Sequence, residues 1–521
     1  MAADIPVPAA GGEAYGAHGA VACASPLAAM AGIRILVAGG NAVDAAVATA
    51  AALNVVEPNC SGLGGVGWMM VHEAASGRLH ALDCLGPVPR DFRSPVPDGQ
   101  RVHTGFASAV VPANLAGWAA ALARFGTRTL AQVLEPAIDL AEHGFPVSRR
   151  LGGDLLALAG QAAPGTDQPW LPGGKVTPGG GLLRVPDLAA TLRTIAAEGP
   201  GAIYGGDLGD RIVAHVRAEG GFLGRQDLVE YRPAWVEPET AWAFGRRIAS
   251  MAPITLTALR IAERRGLASL PAGEPEAIHL LCEAFKAACR HHTGDGATPA
   301  ADAPIALLAE GLRAGDASPD PLLPHAPERT THLDVVDGQG NAVAFTTTIG
   351  GFWGCGAAVP GTGVLLANIL NWADIRGGLP QVPRSTVPVP CIVLGPEAGA
   401  VLAIGTPGGT GIPQTTLQVL AAHLGHGLPL QEALERPRWR MVSDLSESPA
   451  MRRWCADGDL LLESRFPFAT LQALQQRAYS VRPIEPYSLI VGGFHAAGGR
   501  PGQRTFWAAA DPRRGGAGLA W

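Results

Sequence analysis

The sequence predicts a mixed α and β fold in which helices flank packed sheets. Three observations carry this. Ala-rich stretches with helical spacing recur through the first half. Alternating apolar runs joined by tight turns occur near 68–83 and again near 331–348. The 521 residues are 47% hydrophobic and 16% charged, enough to bury a large core.

The elements follow in order. Residues 1–20 read as an extended lead-in. Apolar residues over 25–37 recur at helical spacing, and Gly39-Gly40 stops that helix. Asn41 can cap a second, Ala-rich helix over 41–53. After the run Ser61-Gly62-Leu63-Gly64-Gly65-Val66-Gly67 come two strands, 68–72 and 78–83, with a turn near 75–77. Residues 112–300 read as mainly helical, with amphipathic segments at 113–125, 129–143, 185–198, 207–218 and 278–291. The stretch 293–329 is rich in Ala, Pro and Asp and reads as a long, loosely ordered connection. Then 331–336 alternates as a strand, Asp337-Gly338-Gln339-Gly340-Asn341 turns, and 342–348 returns. Further strands are expected at 364–366, 391–394, 400–404, 488–491 and 505–510, and helices at 413–423 and 430–436.

A net charge of -6 and a pI near 6.2 leave no basic stripe, which argues against nucleic acid or an anionic membrane as partner. The first twenty residues show no basic region followed by an apolar one, so a signal peptide is not expected. No uninterrupted apolar run is long enough to span a bilayer. The eight cysteines are scattered, without metal-ligand spacing, and read as buried free thiols. These features together favour a cytoplasmic protein.

Chemistry has few places to sit. At Arg329-Thr330-Thr331-His332 a loose connection ends and a well-formed hairpin begins. A break before Thr330 would give one residue both a nucleophilic hydroxyl and a free α-amine able to take its proton. From spacing alone, an ordinary hairpin starting with Thr explains the same residues. Gly405-Thr406-Pro407-Gly408-Gly409-Thr410-Gly411 lies between a strand and a helix. Its backbone N–H groups could hold an oxyanion, although a tight turn would look alike. The glycines of 61–67 precede a strand, the wrong order for a dinucleotide site, and read as close backbone packing. His291-His292 reads as surface helix, since adjacent residues point different ways.

Longer motifs go further. Gly39-Gly40-Asn41-Ala42-Val43-Asp44-Ala45-Ala46-Val47-Ala48, Glu57-Pro58 with Ser61-Gly62-Leu63-Gly64-Gly65, Gly144-Phe145-Pro146-Val147-Ser148, Thr330-Thr331-His332, Val359-Pro360-Gly361-Thr362-Gly363, Pro407-Gly408-Gly409 and Asp511-Pro512-Arg513 occur in collinear order. In these the chain resembles the γ-glutamyltranspeptidases along nearly its whole length. The resemblance implies an α+β fold, the four-layer αββα sandwich of the N-terminal-nucleophile hydrolases. It implies autoproteolysis between Arg329 and Thr330 into a large subunit, 1–329, and a small subunit, 330–521. Thr330 would form an acyl-enzyme with its own α-amine as base, Thr348 would hydrogen-bond the nucleophile, and the N–H groups of Gly408 and Gly409 would hold the oxyanion. No metal or organic cofactor is implied. The partners expected are a small-molecule substrate, the two subunits for each other, and a further copy of the processed pair as a homo-oligomer.

The departures concern the substrate. Leu85 stands where the family has an arginine for the glutamyl carboxylate. Gly350 replaces an asparagine. Ile369 and Trp372 fall where side chains grip the α-amino group, and Thr386 and Val387 align with a serine pair. Losing the arginine removes a charge-assisted bidentate pair. The machinery is thus expected to survive while γ-glutamyl recognition is lost. One subgroup resembling this description serves antibiotic pathways that make 4-alkyl-prolines, as in lincomycin and pyrrolobenzodiazepines. It is associated with C–C cleavage that releases oxalate from an α-keto-acid side chain, and this is the expected activity. An amidase or acylase, a weakened γ-glutamyl transferase or hydrolase, and a non-catalytic binding relative remain as alternatives.

Overall fold

The computed structural model describes residues 12–161, 168–293, 300, 303–312, 315, 329–381, 390–395, 399, 401–442 and 459–521. Two seven-stranded sheets, antiparallel throughout, lie face to face. The first runs in the order Ala517–Ala520, Gly19–Cys23, Arg329–Asp337, Ala342–Gly350, Val66–Glu73, Arg78–Cys84, Ala234–Val236. The second runs Ala14–Gly16, Thr505–Ala510, His495–Arg500, Val401–Gly405, Cys391–Leu394, Arg246–Ser250, Glu239–Ala243.

Small side chains fill the layer between the sheets. Ala20, Ala22, Ala81, Ala249, Ala344, Ala403 and Ala497 meet there, with Met70, Ile392 and Phe506 among the few larger ones. Along the central strand the alternation is plain. Leu333 and Val335 face an outer helical layer, while Val336 faces the second sheet. Helices Pro26–Val37 and Ala42–Val56 cover the first sheet, and Pro253–Arg264, Pro275–Thr293 and Ile412–Leu420 cover the second. The result is the expected four-layer αββα sandwich.

Local chemistry pins the central hairpin to its helix. Every residue of Ala42–Val56 is buried, and Asn41 caps it in a capping box with Asp44. The hairpin turn supplies a second carboxylate to the same helix start. Asp337 accepts from the Ala42 N–H at 3.0 Å and also from the N–H groups of Gln339 and Asn341. Negative charge at a helix N-terminus is favourable.

Two expectations need correction. The segment 488–491 is a 3₁₀ turn, Leu489–Val491, and the strand follows at His495–Arg500. The stretch 112–300 is mainly helical, as expected, with a few short strands. It contains the hairpin Glu239–Ala243 and Arg246–Ser250, whose turn places Phe244 and Gly245 at φ of 51° and 68°. That turn carries Phe where Asn or Gly is the usual signal. His292 is not on the surface. It is 3% exposed, and its ring lies 2.8 Å from the Thr257 hydroxyl in the packing between two helices. The connection before Thr330 contains a short helix, Ile305–Glu310, and 316–328 lie outside the described residues.

Candidate active site

Thr330 sits where the central strand begins, and the hairpin register sets it opposite Thr348. A bulge between Arg329 and Thr330 then pairs Arg329 with Gly350. Thr330 is 4% exposed. Its hydroxyl donates to the Thr348 hydroxyl at 3.3 Å, and the Thr348 hydroxyl donates to the carbonyl oxygen of Arg329 at 2.5 Å. The Gly350 N–H holds Thr348 in place from the other side at 2.9 Å. One hydroxyl therefore bridges the Thr330 side chain and the carbonyl of the peptide bond preceding it. The Arg514 guanidinium donates to the Thr330 carbonyl at 2.6 Å, so the threonine backbone is held as well.

Gly408 and Gly409 lie in the loop after strand Val401–Gly405, with φ of 139° and 59°. Both values strain any residue with a Cβ. The strand ends against the strand that carries Thr330. A Cβ on Gly405 would stand 2.3 Å from the His332 ring. The glycine loop thus starts beside the strand that carries Thr330, and the 3₁₀ turn Gly409–Gly411 feeds it into helix Ile412–Leu420.

A set of charges surrounds the start of the strand. Arg150 lies 3.8 Å from Glu57 and 3.9 Å from Asp154, and Arg329 lies 3.7 Å from Asp154. The Arg329 guanidinium also rests over the Phe352 ring at 4.9 Å. Cys60 lies 3.9 Å from both Arg150 and Arg514. Burial pushes its thiol up to about 11, and burial, with Arg150 next, brings the Arg514 guanidinium down to about 10. Sequence reasoning singled out none of Arg150, Asp154, Phe352 or Arg514. The available signal was that Arg514 directly follows Asp511-Pro512-Arg513.

Of the positions expected to line the pocket, the four among the described residues gather at one end of the first sheet. Gly350 ends its strand, and Leu85 follows Cys84 at the same end, two strands away. Leu85 is 9% exposed. Gly350 has φ 88°, and a Cβ there would meet the Asn368 amide oxygen at 2.4 Å. Asn368 fills this space. It accepts from the Gly351 N–H at 2.6 Å and donates to the His103 carbonyl at 3.1 Å. Ile369 and Trp372 form the next 3₁₀ turn, both buried. Thr386 and Val387 lie outside the described residues.

Further along the same strand as Thr330, His332 is fully buried between Asp334 at 3.0 Å and Thr346 at 2.8 Å. Burial raises the Asp334 carboxyl to about 6, with His332 pulling the other way. Among the described residues no group of three or more His, Cys, Asp or Glu could hold a metal ion, and no helix is long and apolar enough to cross a membrane.

Two antiparallel sheets between helical layers, with a threonine heading a central strand, define an N-terminal-nucleophile hydrolase. The γ-glutamyltranspeptidase family model matches residues 28–521, and the chain belongs to that family. It is 35% identical to the acylase ACY 1 proenzyme of Pseudomonas sp. (strain SE83), over 92% of this chain and 91% of that protein. Its fold is similar to that of cephalosporin acylase from Bacillus halodurans, with a TM-score of 0.85 and 27% identity, covering 100% of this chain and 99% of that one. It is also similar to LmbA2991, with a TM-score of 0.81 and 27% identity, covering 97% and 99%.

Proposed function

We propose that this chain cuts itself between Arg329 and Thr330 and then acts as a Thr-nucleophile hydrolase on a non-glutamyl substrate. The bridging Thr348 hydroxyl is the observation that carries the reading. The Thr330 oxygen attacks the Arg329 carbonyl carbon, and Thr348 steadies the oxyanion. The C–N bond breaks, the Thr330 nitrogen takes the proton, and water cleaves the resulting ester. The free amine, with a pKa of about 8, then serves as base for the same hydroxyl. A substrate carbonyl is attacked in turn, with the N–H groups of Gly408 and Gly409 as oxyanion donors.

Amide hydrolysis in the acylase manner is the reading best supported for the substrate. Leu85, Gly350 and Ile369 stand where the family resemblance implies a polar grip on the glutamyl group, and the acylase proenzyme is 35% identical over 92% of this chain. The acyl group passes to Thr330, the leaving amine takes a proton, and water frees the acid. A second reading, C–C hydrolysis in an antibiotic pathway, goes with the likeness to LmbA2991. Thr330 would then attack the keto carbon of an α-keto-acid side chain of a 4-alkyl-proline precursor. The bond would break toward an enamine carbon that picks up a proton, and water would release oxalate.

The test is the intact mass of the wild type and of Thr330→Ala. Two wild-type fragments meeting at Arg329/Thr330 and an uncut variant are expected. A wild-type chain that stays whole after folding would overturn the reading. With the cut protein, acyl amides, a γ-glutamyl anilide and a pyrroline-type α-keto acid separate the substrate classes. Turnover of the γ-glutamyl anilide above that of every acyl amide would refute the lost glutamyl grip.

A further inference from the structure

Arg329 is both the residue whose carbonyl is attacked and a side chain lodged beside the nucleophile. Its guanidinium lies over the Phe352 ring at 4.9 Å and 3.7 Å from Asp154 Oδ1. Asp154 is a prepared anion. The Asn59 amide donates to its other oxygen at 2.8 Å, and Arg150 stands 3.9 Å from that oxygen. The carboxylate is therefore oriented before any ligand arrives, with Oδ1 turned toward the guanidinium. An aromatic face and an oriented carboxylate together form a receptor for a cation.

The occupant is tied to the reaction coordinate. When the Thr330 oxygen attacks, the Arg329 residue becomes the acyl group of an ester on that oxygen. A substrate acyl group later hangs from the same oxygen. The surfaces that hold the Arg329 side chain thus flank the place where the substrate's acyl substituent comes to lie. Once Arg329 leaves as a new C-terminus, the ring loses its guanidinium and Asp154 Oδ1 loses the one it faces, with Arg150 remaining only on the Oδ2 side. The side chains of Asp154 and Arg329 are 15% and 30% exposed, so the place is open to solvent at its rim.

We propose that the Phe352–Asp154 cradle, filled by Arg329 before self-cleavage, becomes in the cut protein the subsite for a cationic group on the acyl side of the substrate. The inference rests on Thr330 being the nucleophile. The ligand class is an acid derivative bearing a guanidinium, ammonium or protonated ring nitrogen at about the reach of an arginine side chain from its carbonyl. The uncut chain is, in this sense, occupied by a piece of itself. This deepens the substrate reading. The Leu85 end of the pocket sheds its charged grip on a glutamyl zwitterion, while a cation is gripped on the Arg329 side.

The experiment uses the full chain and two probes of equal shape, N-acetyl-L-arginine and the uncharged N-acetyl-L-citrulline, titrated calorimetrically. Cut wild type is expected to bind the arginine probe about tenfold more tightly than the citrulline probe. Uncut Thr330→Ala, with Arg329 still in the cradle, is expected to bind neither. In Asp154→Asn the preference should fall to about threefold or less. Should that variant fail to cut itself, Phe352→Leu carries the same comparison. Equal affinity for both probes, no binding to the cut protein, or equal binding to cut wild type and uncut Thr330→Ala would overturn the cradle while leaving the nucleophile reading standing. A wild-type chain that never cuts would overturn both, since the cradle is then never vacated.

Discussion

A single hydroxyl concentrates the interest at the residue scale. Thr348 accepts from the Thr330 hydroxyl and the Gly350 N–H and donates to the Arg329 carbonyl. Thr348→Val keeps the shape and removes the bridge, so self-cleavage is expected to slow about 100-fold, as for loss of one oxyanion donor. A time course of fragment formation on a gel reads this directly. A rate within a few-fold of wild type would show that the bridge is idle. Behind it, Asp334 predicts a pH dependence. Its carboxyl lies near 6 when folded, against an ordinary 3.8, because burial disfavours its charge. The folded chain therefore holds a proton there that the unfolded chain releases. That contribution is full below about pH 4 and is lost as pH rises through 6. In Asp334→Asn the penalty is absent, so the Tm difference between variant and wild type should grow more favourable to the variant from pH 4.5 to pH 7. A constant difference would refute the assignment.

At the scale of elements, legibility followed the strength of local signals. The Asp337–Asn341 turn fixes the hairpin register, and that register alone sets Thr330 against Thr348. Helices with firm caps were readable at their starts to within a residue. Thr129 caps Leu130–His143, and Asn41 caps Ala42–Val56. The hairpin around Phe244 was not readable, because tertiary packing, rather than an Asn-Gly pair, holds its turn at positive φ. Arg150 and Asp154 escaped notice for a different reason. Helix Arg149–Gln161 delivers them from far along the chain to Glu57 and Arg329, and no local pattern records such a meeting. Asp337 allows a test of how the hairpin is held. It is 4% exposed and accepts from Ala42, Gln339 and Asn341. Asp337→Ala leaves buried donors unmet and should cost about 1–3 kcal/mol, seen as a lower Tm. An unchanged Tm would mean that the helix and the hairpin are held by apolar packing alone.

On the scale of the whole molecule, each sheet takes strands from both sides of the Arg329–Thr330 bond. In the first, Gly19–Cys23 lies between Ala517–Ala520 and Arg329–Asp337, and in the second, Arg246–Ser250 lies beside Cys391–Leu394. A cut at that bond would leave two pieces that share both sheets of one core and could not part without exposing it. The order of events follows. Folding would have to come first, as a one-chain process, because neither piece contains either seven-stranded sheet whole. Once cut, the same core could be rebuilt only by two chains finding each other, so recovery from denaturant should depend on protein concentration in the cut wild type and not in Thr330→Ala. Regain of native fluorescence over a dilution series measures this, and identical recovery at all dilutions would contradict it. On the proposed function, the cut would turn the fold into a nearly one-way product. The mature protein's lifetime would then be governed by how slowly it first opens, rather than by how readily it could close again.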